Sequence, residues 1–373
     1  MWSAQHYVAV GKDLGCSKDL LDNAVEQIES VIDHPPHPPS LLTLRHLAIR
    51  AEVPRESLRR FVARDPEAYR SFAVRKRSGG ARIIHVPEPQ LLKVQRWLAK
   101  HLLSNIPVHQ RSFAFAPQAS IVKCAAKHCG AQWLIKLDVR GFFSSISELQ
   151  IYRIFRSLNY QRLIAFELAR LCTFAPARSP RYKRGNWQNW KEYKIEAYAH
   201  RGQGYLPQGA PTSPMLSNLA MKELDETLMR IGLKHGLYYT RYSDDMTFST
   251  RNRAFSRNSA KDLIREVSRT IMAAGLCLND GKTTIVPPGA RKVVLGLLVD
   301  GTDPALPREF RSLLRQHLHY LEKFGPVAHA QARNFDTVLG MRRHIRGLID
   351  FANMVDGSYA SKLLNRFKKI AWP

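Results

Sequence analysis

The 373-residue chain has no run of about 18 consecutive apolar residues, which excludes an ordinary membrane-spanning helix. Its N-terminus, "MWSAQHYVAVGKDLGC", shows no basic start followed by an apolar core and a small-residue cleavage site, so a cytoplasmic location is expected. Cysteine is scarce and odd in number. The five residues Cys16, Cys124, Cys129, Cys172 and Cys277 are widely spread, which fits reduced thiols and not a disulfide framework. Cys124, His128 and Cys129 carry zinc-binding chemistry, but no second ligand pair stands at the usual spacing, so buried or incidental thiols are expected. Acid is in short supply as well. The 31 Asp+Glu stand against 57 Lys+Arg, a formal net charge of +26. That excess favours a polyanionic partner, because each phosphate neutralised by Lys or Arg releases condensed counterions. Nucleic acid is therefore the expected partner, with no membrane.

Residues 1 to 33 repeat apolar side chains at three- and four-residue intervals, which predicts a helix ending before "DHPPHPPS". "LLTLRHLAIRAEVPRESLRRFVAR" predicts two short helices about Val53-Pro54, read as a helical platform and not an independent DNA-reading module. Gly79-Gly80 joins two strand-like runs in a basic hairpin. Residues 150 to 172 read as amphipathic helix, and 177 to 204 interleave Arg, Lys, Tyr and Trp, either a base-stacking surface or an exposed insertion. From Pro307 onward the chain is helical and basic.

The acids that are present sit in odd places. "YYTRYSDDMTFST", Tyr238 to Thr250, sets Asp244 and Asp245 side by side in a strand pattern, at what reads as a hairpin tip, although adjacent carboxylates repel and Asp is a poor strand former. Asp138 lies at the end of the buried strand pattern Trp133 to Val139, before Gly141. Unpaired acids in such surroundings are costly, and Mg²⁺ supplies compensation, since it takes hard oxygen ligands and shares its shell with substrate phosphates. Carboxylates that hold two such ions suit in-line phosphoryl displacement, with a nucleotide polymer and a nucleoside triphosphate as substrates.

These stretches carry a resemblance. "TRYSDDMTFS" resembles the Tyr-x-Asp-Asp box of reverse transcriptases, "IKLDVRGFFSSI" their first catalytic box and "YLPQGAPTSPMLSN" their Pro-Gln-Gly box. "RKRSGGARIIHVP", "GLCLNDGKTTIV" and "VVLGLLVD" are similar, in the expected order, to the fingertip, the lysine-bearing turn and the primer-grip hairpin. Within that family the wording looks most like bacterial retron enzymes and related defence-associated reverse transcriptases.

The resemblance implies an α+β right-hand polymerase: a helical N-terminal extension over 1–70, fingers and palm (antiparallel sheet plus helices) over 71–300, and a basic helical thumb over 301–373. It implies that Asp138, Asp244, Asp245 and the Val139 carbonyl hold two Mg²⁺ ions, and that Lys282 protonates the pyrophosphate leaving group. Lys76 and Arg82 would grip the triphosphate, Pro207, Gln208 and Gly209 would line the nucleotide pocket, and Phe143 would reject a 2′-hydroxyl, favouring dNTPs. Tyr242 would pack beneath the primer terminus, with Leu295 and Gly296 in the primer grip. The implied partners are a structured noncoding RNA as template and primer, the RNA–DNA hybrid, and a separate effector protein in antiphage defence.

Two places depart from the retron pattern. "EAYAH", Glu196 to His200, stands where an Asn-Ala-x-x-His box is usual, and Val294-Leu295-Gly296 stands where Val-Thr-Gly is usual. Three readings stay open at this point: a diverged retron enzyme, a non-retron defence reverse transcriptase, and a catalytically inactive RNA-binding scaffold. An RNA-dependent RNA polymerase is a further rival, which Phe143 argues against.

Overall fold

Side-chain capping starts several of the helices. Ser17, Thr43 and Thr337 each accept the backbone N–H three residues on, opening Lys18–Ile32, Leu44–Ala51 and Val338–Val355. Ser147 closes a reciprocal capping box with Gln150 ahead of Glu148–Ser157. The computed structural model describes residues 3–75, 79–176 and 203–373. They fall in two compact units: Met1–Gln118 with Val139–Thr227 and Arg269–Leu278, and Ala119–Asp138 with Leu228–Ser268 and Asn279–Pro373. Among the described residues no helix is long and apolar enough to cross a membrane.

Two expected helices are each broken in two. Residues 1–33 form Ala4–Asp13 and Lys18–Ile32, parted at Gly15, whose φ is +76°. Residues 150–172 fall in Glu148–Ser157 and Arg162–Cys172, parted at Asn159, whose φ is +63°. A left-handed residue ends an α-helix, and Gly and Asn are the side chains that take that conformation most readily, so an unbroken apolar period hid both stops.

In the first unit, Leu44–Ala51 and Arg55–Val62 bury their apolar faces. The second packs on Pro89–His101 and on Arg162–Cys172, a platform within the unit. Tyr160 donates its hydroxyl to Pro39 O at 2.6 Å and Asn159 its amide to Ser30 O at 3.0 Å, tying the N-terminal helices to the same layer. An antiparallel hairpin, β1 (Tyr69–Arg75) and β2 (Ala81–Pro87), lies in register Val74↔Arg82 and Ser71↔His85.

The second unit is built on an antiparallel sheet in the order β4-β5-β3-β6, with β3 Trp133–Asp138, β4 Tyr238–Tyr242, β5 Asp245–Thr250 and β6 Thr284–Val286. A second hairpin, β7 (Val293–Val294) and β8 (Leu297–Leu298), turns through Leu295 and Gly296, both at positive φ. A two-residue turn of that kind matches the twist of its strands. Val294 and Leu297 share one core with Leu134 of β3 and with Leu314, Leu318, Met341, Ile345 and Leu363 of the C-terminal helices. Those helices run Arg308–Ala332, broken at Gly325-Pro326, then Val338–Val355 and Gly357–Lys368.

The Cys124, His128 and Cys129 cluster is buried beside this sheet. His128 meets Ser249 Oγ through Nδ1 and Thr240 Oγ1 through Nε2, each at 2.7 Å, and burial pushes the Cys124 thiol up to about 11. Burial also pushes the His128 imidazole down to about 3. The unfolded chain therefore binds a proton, below about pH 6.5, that the folded chain refuses, and stability is lost as pH falls toward 3. From this one residue the slope reaches at most about 1.4 kcal/mol per pH unit. Urea unfolding followed from about pH 6.5 down to 4.5 is expected to show a shallower loss in His128→Gln than in the parent chain, and equal slopes would refute the assignment.

Candidate active site

The acids of the second unit meet at one edge of its sheet. Strand β3 pairs with β5 in a register that sets Asp138 directly across from Asp245, while Tyr242 of β4 pairs with Asp245 from the other side. Ser243 and Asp244 form the two-residue turn between β4 and β5, with Ser243 at φ +59°. Asp138 is 4% exposed, Asp244 is half-buried, and Asp245 still meets solvent. Even so, the crowding of protein around its carboxyl raises the proton affinity of Asp245, and the charges of Asp244 and Asp138 raise it further. Lys136 and Lys282 oppose them.

Lys282 reaches this edge from the short 3₁₀ turn Asp280–Lys282. Its Nζ donates to Asp138 Oδ1 at 2.7 Å, and that hydrogen bond, ahead of the surrounding negative charge, holds the ammonium above its ordinary value. Among the described residues no group of three or more His, Cys, Asp or Glu side chains is arranged to hold a metal ion. The donors present are carboxylate oxygens on adjacent strands and the turn joining two of them, the hard-oxygen chemistry that suits a divalent cation.

Two residues of this edge were not singled out from the sequence. Asn279 donates its backbone N–H to Asp138 O at 2.8 Å and its amide to Asp138 Oδ2 at 3.2 Å, so it holds Asp138 at both ends. Arg241, fully buried, donates to Ser243 O at 3.0 Å from beneath the turn that carries Asp244. The available signals were a charge inside the tyrosine-rich run of β4 and an Asn three residues ahead of Lys282.

The other expected residues have these places. Leu295 and Gly296 make the β7–β8 turn in the second unit. In the first unit, Val139 is buried and bridged to Leu278. Phe143 is half-buried in the single helical turn Phe142–Ser145, edge-on to Phe142 at 5.4 Å and 6.3 Å from Phe115. Pro207 O accepts from Ser213 Oγ at 2.7 Å, and Gln208 O accepts the His85 N–H of β2 at 2.8 Å. Gly209, at φ +117°, lies so close to β2 that a Cβ there would come within 2.9 Å of His85 O. Arg82 is exposed on β2. Lys76, "EAYAH" and nearly all of the 177–204 segment lie outside the described residues.

Reverse transcriptase (RNA-dependent DNA polymerase) is the family whose pattern matches this chain, over residues 74–313. The chain belongs to the reverse transcriptase family. It is 33% identical over 330 residues to the retron Mx65 reverse transcriptase of Myxococcus xanthus, covering 88% of this chain and 69% of that one. It is 26% identical over 335 residues to the retron Ec86 reverse transcriptase of Escherichia coli, covering 88% and 94%. Among solved structures, telomerase from Candida albicans in complex with a fragment of telomeric RNA aligns with 82% of the chain and 56% of its own, at 11% identity and a TM-score of 0.45. By the family match and the retron relatives, the protein is a retron-type reverse transcriptase with that family's right-hand polymerase fold of mixed helix and antiparallel sheet, and its activity is RNA-directed DNA synthesis. The retron reading left open by "EAYAH" and Val294-Leu295-Gly296 is the one these relatives favour. Reverse transcriptases depend on divalent metal.

Proposed function

We propose that this enzyme copies part of its own structured noncoding RNA into DNA, primed from a 2′-hydroxyl of that RNA, to give a branched RNA–DNA product. In this reading it works in the cytoplasm in antiphage defence, beside a separate effector protein. The observation that carries the catalytic part is the sheet register: Asp138 faces Asp245, Asp244 sits in the adjoining turn, and Lys282 lies on Asp138.

Asp138, Asp244, Asp245 and the Val139 carbonyl would hold two Mg²⁺ ions. Such ions, when bound, would supply charge stabilisation for an in-line displacement. The chain's own residues do the rest. Lys282, placed at this edge by its hydrogen bond to Asp138, would give its proton to the departing pyrophosphate. Arg82 and Lys76 would grip the triphosphate, and Pro207, Gln208 and Gly209 would line the pocket. Phe143 would exclude ribonucleotides. Tyr242 would support the primer end, with Leu295 and Gly296 gripping the primer strand. The domain reading goes with this: an extension over 1–70, fingers and palm over 71–300, and a thumb over 301–373.

Nucleic acid recovered with the protein from cells that carry its native locus tests the retron part. A single defined RNA joined to a short DNA is expected, with the junction resistant to protease and cleaved by an enzyme that opens 2′,5′ linkages. DNA of random sequence, or DNA linked to protein, would overturn it.

A further inference from the structure

A cluster of buried charge in the first unit lies outside the chemistry described above. Glu148, the first residue of Glu148–Ser157, is fully buried. Its Oε1 accepts from Arg170 Nε at 3.1 Å, and its Oε2 accepts from Arg64 Nη2 and from the Gly204 N–H, the latter at 2.8 Å. The Glu148 backbone N–H donates in turn to Gly204 O at 2.8 Å, so residue 204 is held on both sides by one residue. Arg64 stands at φ +67° just past Arg55–Val62, and also donates to Thr173 Oγ1 at 2.8 Å and to Arg170 O at 3.2 Å. Arg170 donates to Val62 O at 3.1 Å. Burial alone would raise the Glu148 carboxyl, yet the two guanidiniums and the Gly204 N–H outweigh it and hold it below its ordinary value, so it stays charged.

Burying three charges is a poor route to stability, because apolar side chains of similar volume hold helices together as well. A directional network adds geometry instead. The segment it fixes leads straight to Gln208. Tyr205 bridges to Ser147 and Phe174, Leu206 N–H donates to Ile146 O at 3.0 Å, and Gln208 O takes the His85 N–H. His85 stacks on Phe174 at 4.2 Å. Space is tight: a Cβ on Gly204 would lie 2.8 Å from Thr173 Oγ1, 2.9 Å from Glu148 Oε2, and closer still to Arg64.

We propose that Arg64, Glu148 and Arg170 are positioning residues that set the nucleotide-pocket loop through Gly204, making residue 64 of the N-terminal extension a determinant of dNTP use. This rests on the reading of Gln208 as a pocket residue. The test compares Gly204→Ala, which keeps every charge, Arg64→Lys, which keeps the charge but not the forked hydrogen bonds, and Gln208→Ala as reference. Steady-state dNTP incorporation is measured on a primed RNA, along with RNA affinity and melting temperature. Gly204→Ala is expected to fold at a lower melting temperature, since Arg64, Thr173 and Glu148 must give way, and to bind RNA as the parent does while its KM for dNTP rises roughly tenfold, with kcat changed far less, as for nucleotide binding weakened equally in ground and transition states. Arg64→Lys should fall between. KM unchanged in folded clamp variants while Gln208→Ala raises it would overturn the proposal alone. KM unchanged in all three would overturn the pocket reading and the proposal with it. Should Gly204→Ala not fold, Arg64→Lys decides on the same terms.

Discussion

Replacing Asp244 and Asp245 together by Asn is expected to abolish DNA synthesis while leaving RNA binding intact. If cations held by these acids supply several kcal/mol of transition-state stabilisation, the loss is on the order of a thousandfold or more. RNA affinity follows a different property. It draws on 57 Lys+Arg, and removing two negative charges makes the chain more basic than its net +26. The fold should not suffer either. Crowding by protein and the charges of Asp244 and Asp138 all oppose the charged form of Asp245, so a neutral amide at the same place relieves repulsion. Synthesis on a primed RNA, filter binding of that RNA and a melting curve decide the matter together. Synthesis lost with binding and melting preserved is the expected result. Undiminished synthesis would sink the metal-site reading, and an inactive parent enzyme that binds RNA equally well would support the scaffold alternative.

How far this edge was legible in sequence depends on distance along the chain. The two-residue turn and its flanking strands are local, and alternating apolar side chains announce them. That Asp138 ends a strand was likewise readable from "WLIKLD". Pairing of β3 with β5, across more than a hundred residues, follows from no local pattern, and only the family resemblance brought the three acids together in advance. The Asn279 grip on Asp138 was hidden for the same reason: the resemblance marks "GLCLNDGKTTIV" as a lysine-bearing turn, but only the folded chain aims that 3₁₀ turn, with Asn279 and Lys282, back at the acid. Leu295 illustrates a different limit. The turn needs positive φ at two successive residues, and Leu gives no sign of accepting it, so Gly296 alone signalled the hairpin.

The Arg64–Glu148 clamp was the least legible feature. Its members stand 84 residues apart, and each, Glu148 at the start of its helix and Arg64 just past the end of another, looks like an ordinary solvated charge. A strongly basic chain offers many such Arg residues, so composition conceals the few that are buried. The same composition predicts nucleic-acid binding well and says nothing about which strand is copied or which sugar is accepted. Those depend on single side chains.

Phe143 is the side chain on which sugar choice is expected to turn. Gly141, at φ +58°, starts the one-turn helix Phe142–Ser145, and Ser144 Oγ ties back to Gly141 O at 2.8 Å. Phe142 is buried beneath it, so the backbone at 143 is held by its neighbours and not by its own ring. Phe143→Ala is therefore expected to fold, to keep most dNTP incorporation, and to raise kcat/KM for NTPs. Rejecting one added hydroxyl by shape is worth on the order of a hundredfold, about 2.7 kcal/mol, and that is the discrimination the variant should lose. Competing a dNTP against the matching NTP on one primed RNA reads the ratio directly. An unchanged ratio would remove Phe143 from the gate, and a parent enzyme that prefers NTPs would contradict DNA synthesis as its activity. On that expectation the paired aromatics divide the work: the Phe142 ring anchors the turn, which leaves the Phe143 ring free to meet the sugar.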